Sequence, residues 1–215
     1  MKIALVMEYS TSARNEVVYS TLKRVAEANG HEVVNYGQYG AEDNRQTYIQ
    51  NAFLISALLN SGAADFVVTG CGTGEGAMLA ANAMPGVMCG LVIDPADAFL
   101  FTQINNGNCI SLPYAKGWGW AAEVNLEYLF EKLFVMAPGG GYPESAAASE
   151  QANAARLAKL KTYSHPSFEA VLEAVDDEDL INCIKAAFAG DRYEKFSKDC
   201  KKASVLAAVD KVLNN

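Results

Sequence analysis

Apolar residues along this chain recur in two rhythms. Short unbroken runs bounded by turn residues, at Lys2–Met7, His31–Tyr36, Ala64–Thr69, Val87–Ile93 and Asn108–Leu112, predict buried strands. Between them, apolar positions three and four residues apart predict helices over Asn15–Ala26, Thr47–Leu59, Ala77–Met84, Asp97–Gln103 and Ala121–Phe134. Asn29-Gly30, Ser61-Gly62 and Pro85-Gly86 punctuate the pattern where helices should stop. Strand and helix alternate throughout this stretch, which calls for an α/β domain: a parallel sheet with helices on both faces.

The rhythm changes at Ala137-Pro138-Gly139-Gly140-Gly141-Tyr142-Pro143, too rich in Gly and Pro to continue a helix. Beyond it the pattern is only helical, over Ser149–Lys161, Ser167–Val175, Asp177–Ala189 and Arg192–Leu213. The expected organisation is a core over residues 1–137, a linker over 138–150 and a helical extension over 151–215. Short amphipathic helices bury too little alone, so the extension should pack on the core or on a second subunit.

Composition narrows the function. Hydrophobic residues make up 51% of the 215, enough for a sizeable core, and a net charge of -8 offers no basic field to gather a phosphate backbone, so nucleic acid is not an expected partner. The N-terminal apolar run is too short for a signal peptide and no run approaches ~18 apolar residues, so no membrane segment is expected and the chain is assigned to the cytoplasm. Five cysteines stand without a C-x-x-C pair, and the two histidines, His31 and His165, lie far apart. Neither a disulfide framework nor a metal site is expected, and no cofactor is called for.

One loop concentrates the chemistry. Gly70-Cys71-Gly72-Thr73-Gly74-Glu75-Gly76 joins a buried strand to a helix, where backbone N–H groups converge beyond the carboxyl ends of the strands. A thiol placed there, as Cys71 is, sits in the setting that favours a reactive thiolate, and Thr73 can aim its hydroxyl into the same pocket. The bland alternative makes Cys71 a small buried residue in a tight turn. Gly72-x-Gly74-x-x-Ala77 followed by Asp94 also fits a dinucleotide fingerprint weakly, but two βα units precede it and Glu75 would face a pyrophosphate.

The stretch from Asp65 to Val87, with C-G-T-G-x-G, A-A-N and P-G in register, resembles the ribose-5-phosphate isomerase B and galactose-6-phosphate isomerase family, of which this chain would be a divergent member. The likeness continues through Asp94-Pro95-Ala96-Asp97-Ala98 and Asn105-Asn106-Gly107-Asn108 and covers roughly residues 1 to 135. It implies a Rossmann-like three-layer sandwich with a five-stranded parallel sheet, carrying a C-terminal helical extension. It further implies aldose–ketose isomerisation of a sugar or sugar phosphate through a cis-enediol, in a homodimer without metal. In the resemblance Cys71 matches the base, and Thr73 with the amides of Gly72, Gly74 and Gly76 matches the oxyanion hole. Asn105 and Tyr48 match positions that contact the sugar.

The departures matter equally. Glu8-Tyr9 stands where the family has Asp-His, and Ile104 replaces the ring-opening histidine. Glu8, Glu75 and Asp94 are the acids able to take over proton transfer, with Glu75 the most pointed, and Glu8 and Tyr9 are also expected to line the substrate. Arg156, Lys159, Lys161 and Arg192 are the tail cations available to a phosphate. Tyr114 and Lys116-Gly117-Trp118-Gly119-Trp120 offer aromatic faces suited to sugar stacking or to an interface. A carbohydrate-binding or regulatory protein that has lost turnover is the alternative to an isomerase.

Overall fold

The computed structural model describes residues 1–215. The strands are β1 (Lys2–Met7), β2 (Glu32–Asn35), β3 (Phe66–Cys71), β4 (Cys89–Leu91) and β5 (Cys109–Pro113), all parallel, in the order β2-β1-β3-β5-β4. Period-two alternation divides β1 between two cores: Ile3, Leu5 and Met7 face one side of the sheet, Ala4 and Val6 the other. Helices α1 (Asn15–Ala28), α4 (Pro95–Leu100) and α5 (Ala122–Phe134) cover the first face, and α2 (Tyr48–Ser61) and α3 (Glu75–Asn82) lie on the second. The result is the expected three-layer Rossmann-like sandwich.

The extension comprises α6 (Ala147–Ser164), α7 (Phe168–Ala174), α8 (Glu178–Ala187), α9 (Arg192–Asp199) and α10 (Ala203–Leu213). Phe168, Leu172, Ile184, Phe188, Phe196, Val205 and Val209 are buried in one cluster with Phe53, Leu54 and Leu58 of α2. Each such side chain contributes roughly 1.5–3 kcal/mol when removed from water. Helix α2 is therefore enclosed on nearly all sides, which explains its unbroken buried run from Asn51 to Leu58. Helix α6 differs: it buries no residue and leaves Leu157, Leu160 and Tyr163 exposed. No helix is long and apolar enough to cross a membrane.

Several elements depart from the sequence reading for identifiable reasons. The expected helix Arg192–Leu213 is two helices, because Cys200 leaves helical geometry and the Lys201 N–H donates to Ser61 O at 3.0 Å, satisfying a carbonyl at the end of α2. The fourth strand is shorter than Val87–Ile93, since β4 is an edge strand and Asn108 Oδ1, not a neighbouring strand, takes the Met88 N–H at 2.8 Å. The helix expected over Asp97–Gln103 begins at Pro95 and widens into a π turn over Phe101–Asn105. Asp94 caps it, accepting from Asp97 N at 2.9 Å.

Candidate active site

The strand order reverses between β1 and β3, and ligands of open α/β sheets bind outside the carboxyl ends of strands at such a point. Glu8 follows β1 and Cys71 ends β3, so both arrive there together. A cavity of about 410 Å³ opens between them, lined by Glu8, Tyr9, Ser10, Thr47, Tyr48, Cys71, Gly72, Thr73 and Gly76.

The loop after β3 owes its shape to its glycines. Gly74 has φ +79°, and a Cβ there would stand 2.5 Å from Leu91 Cδ1. Buried Ser111 donates from Oγ to Gly74 O at 2.6 Å and fixes the turn from below. Helix α3 starts immediately afterwards. The N–H groups of Gly72, Thr73 and Gly74 donate to no acceptor in the protein. Thr73 Oγ1 accepts from Glu75 N at 3.3 Å, which leaves its own proton free to donate, and it lies 4.0 Å from Cys71 Sγ. A buried thiol, a hydroxyl and the unclaimed amides of Gly72 and Thr73 thus share one wall of the cavity.

Glu8, only 3% exposed, lines the same cavity. Its Oε2 accepts from Ser10 N at 3.0 Å and its Oε1 from the Ser10 hydroxyl, so the carboxylate is held in one orientation. Tyr9 and Tyr48 are partly exposed at the mouth, and the Tyr48 ring lies over Gly76, where a Cβ would come within 3.3 Å. Thr47 and Ser10 belong to the lining although the sequence reading passed over them. The Thr47-x-x-Gln50 capping box, with Thr47 N donating to Gln50 Oε1 at 2.6 Å, was the available signal for Thr47.

Other expected residues lie elsewhere. The Glu75 carboxylate is exposed, pairs with Lys116 Nζ at 3.2 Å and is not part of the cavity lining, while Gly74 shapes the loop from beneath. Asn105 is at the far end of the sheet: it precedes β5, whose first residue pairs with Val67, four residues before Cys71. At about 3.3 Å per residue, that register alone separates the two positions by about 13 Å. Asp94 is a helix cap, not an acid facing the cavity. Tyr114 is buried core packed edge-on to Trp118, and Trp120 is fully exposed.

The tail cations do not line this cavity either. Lys161 Nζ donates to Asn82 O at 2.6 Å, and Arg156 bonds Asn153 at 2.8 Å within its own helix. Arg192 is 2% exposed, and its guanidinium donates to Tyr36 O at 2.7 Å, Asn51 Oδ1 at 2.9 Å and Met7 O at 3.5 Å. Burial without an acidic partner at bonding distance lowers its pKa to about 10. It anchors the extension to the end of β1 and is not a free anion ligand.

A parallel sheet with a thiol and free amides at its switch point defines an α/β protein with a ligand site at the carboxyl ends of its strands. A family model described as ribose/galactose isomerase matches residues 3–132, and the chain belongs to that family. A crystal structure of a 4-deoxy-L-threo-5-hexosulose-uronate ketol-isomerase, complexed with a tartrate, is 47% identical over 100% of both chains, with a TM-score of 0.94. A ribose-5-phosphate isomerase from Vibrio parahaemolyticus is 46% identical over 99% of both chains, with a TM-score of 0.93. A ribose 5-phosphate isomerase from Thermotoga maritima is 25% identical, with a TM-score of 0.53, covering 70% of this chain and 97% of its own. The two relatives near half identity therefore share the extension as well as the core. The chain is a sugar isomerase by family.

Proposed function

We propose that this protein interconverts the aldose and ketose forms of an unphosphorylated sugar derivative through a cis-enediol, with Cys71 as the base. The observation that carries this reading is the wall on which Cys71 Sγ lies 4.0 Å from Thr73 Oγ1 beside the Gly72 and Thr73 amides, which have no acceptor. The Cys71 thiolate takes the proton from the carbon next to the substrate carbonyl. Charge passes to the carbonyl oxygen, where the N–H groups of Gly72 and Thr73 and the Thr73 hydroxyl receive it. A preorganised donor of this kind is worth roughly 2.7–4 kcal/mol in the transition state. The thiol then returns the proton to the adjacent carbon, and a proton passes between the two oxygens, so the overall reaction is neither an oxidation nor a reduction. Glu8, fixed by Ser10 in the same lining, stands where it can carry that oxygen-to-oxygen proton.

Substrate charge follows from the same walls. A carboxylate lines the cavity and no tail cation does, so the lining itself offers no cation to offset the repulsion between a phosphate dianion and Glu8. The relative at 47% identity is a uronate ketol-isomerase, and that activity fits this cavity better than the phosphate chemistry named for the relative at 46%. A homodimer belongs to the same reading: the family resemblance gives Asn105 a sugar contact, and its distance from Cys71 within one chain would leave that contact to a second copy. The test is conversion of 4-deoxy-L-threo-5-hexosulose uronate, ribose and ribose 5-phosphate, followed by NMR. Turnover of the uronate, lost in Cys71→Ser and kept in Cys183→Ser, supports the reading. Binding of all three without turnover would make the protein a carbohydrate-binding module instead.

A further inference from the structure

The segment between β2 and α2 carries a cation that the chemistry above does not use. Its anchor is Gln46, 1% exposed, whose Oε1 accepts from Gln38 Nε2 at 2.7 Å and whose Nε2 donates to Ala186 O at 3.0 Å. The Gln46 carbonyl accepts from Tyr9 N at 2.9 Å, which ties this segment directly to the cavity wall. Arg45 comes immediately before this clamped residue, two positions from Thr47 of the lining. Its guanidinium sits over the Tyr9 ring, 5.8 Å from the centroid.

Arg45 has no acidic partner among the ion pairs of the chain. The nearby Asp43 carboxylate is engaged by Tyr39 N at 3.1 Å and Asn44 N at 2.8 Å. Lys116 is held by Glu75 and Arg192 by neutral acceptors within the core. One planar cation without an acidic partner, exposed and outside the lining itself, therefore stands over Tyr9 at the edge of a cavity otherwise marked by a carboxylate. A guanidinium fork matches a carboxylate in two parallel hydrogen bonds, and its single charge balances a monoanion.

We propose that Arg45 is a specificity-determining residue that holds the carboxylate of a sugar acid at the mouth of the Cys71 cavity, stacked on Tyr9. This rests on the isomerase reading given above. The remote carboxylate sits on Arg45 while the carbonyl end reaches Cys71 and the loop amides, so the contact acts on binding and orientation and takes no part in proton transfer.

The experiment compares wild type, Arg45→Ala, Arg45→Lys and Cys71→Ser on 4-deoxy-L-threo-5-hexosulose uronate, ribose 5-phosphate and ribose, with KM and kcat separated. The expected result is a KM for the uronate raised about tenfold or more in Arg45→Ala, with kcat changed far less and partial rescue in Arg45→Lys. The wild-type KM for the uronate should also rise with salt, a dependence that Arg45→Ala should lose. An unchanged uronate KM in Arg45→Ala, with Cys71→Ser inactive, overturns the role of Arg45 and leaves the isomerase reading standing. Full activity of Cys71→Ser overturns the isomerase reading itself. Higher kcat/KM on ribose 5-phosphate than on the uronate in wild type, lost in Arg45→Ala, would make Arg45 a phosphate ligand and overturn the assignment to a carboxylate.

Discussion

Replacing Arg192 with methionine tests how the extension is fastened to the catalytic core. Methionine keeps much of the volume but removes the donors that reach Tyr36 O at 2.7 Å and Asn51 Oδ1 at 2.9 Å. The long contact to Met7 O, at 3.5 Å, matters less, because that carbonyl retains Asn51 Nδ2 at 3.0 Å and Gln38 N at 3.3 Å. Two buried acceptors are stranded, each costing roughly 1–3 kcal/mol, or about 2–6 kcal/mol together. Part of this returns, because the guanidinium is buried against neutral groups and the desolvation that lowers its pKa to about 10 disappears with it. A net loss of about 2–4 kcal/mol remains, and at roughly 2–4 °C per kcal/mol for a chain of this size the Tm should fall by about 4–16 °C. Thermal unfolding followed by circular dichroism, with a urea titration for the free energy, reads this directly. A variant melting within about 1 °C of wild type would refute the reasoning.

Two further predictions concern the loop and the extension. Gly74→Ala forces a left-handed backbone on alanine, costing about 1–2 kcal/mol before its Cβ meets Leu91 at 2.5 Å; kcat/KM should fall at least about tenfold, and normal activity would mean that the loop geometry is not needed. The Lys202 ammonium at 2.7 Å, with the Ser204 hydroxyl, lowers the pKa of Glu169 from 4.5 to about 2. A carboxyl lowered on folding contributes stability that is full above its unfolded pKa and lost as pH falls through the folded one. The loss of Tm between pH 4.5 and 2 should therefore be smaller in Glu169→Gln than in wild type, and parallel melting curves would remove this pair from the acid response.

Most of the core was legible because its elements obey local rules. β1 and β3 are continuous apolar runs, and the glycine loop announces both a turn and an exposed helix start. What stayed hidden depends on distant partners. The break at Cys200 is made by a carbonyl of Ser61, and nothing within Arg192–Leu213 signals it. Arg192 reads as a phosphate ligand by type and becomes an anchor only because α9 brings it beneath β1. At the site, chain position brought Glu8, Tyr9, Cys71 and Thr73 together, since each sits at or next to a strand end. Glu75 lies outside the lining, paired with Lys116, and sheet polarity separated Asn105; neither follows from a motif match.

Proton transfer at Cys71 is measured most directly by solvent isotope labelling. Wild type and Cys71→Ser are incubated with 4-deoxy-L-threo-5-hexosulose uronate in deuterated water, and the carbon next to the carbonyl is followed by NMR. A base on the cavity wall, exchanging with solvent during an enediol step, places deuterium at that carbon in wild type and none above background in Cys71→Ser. Deuterium appearing at the wild-type rate in Cys71→Ser would contradict the account.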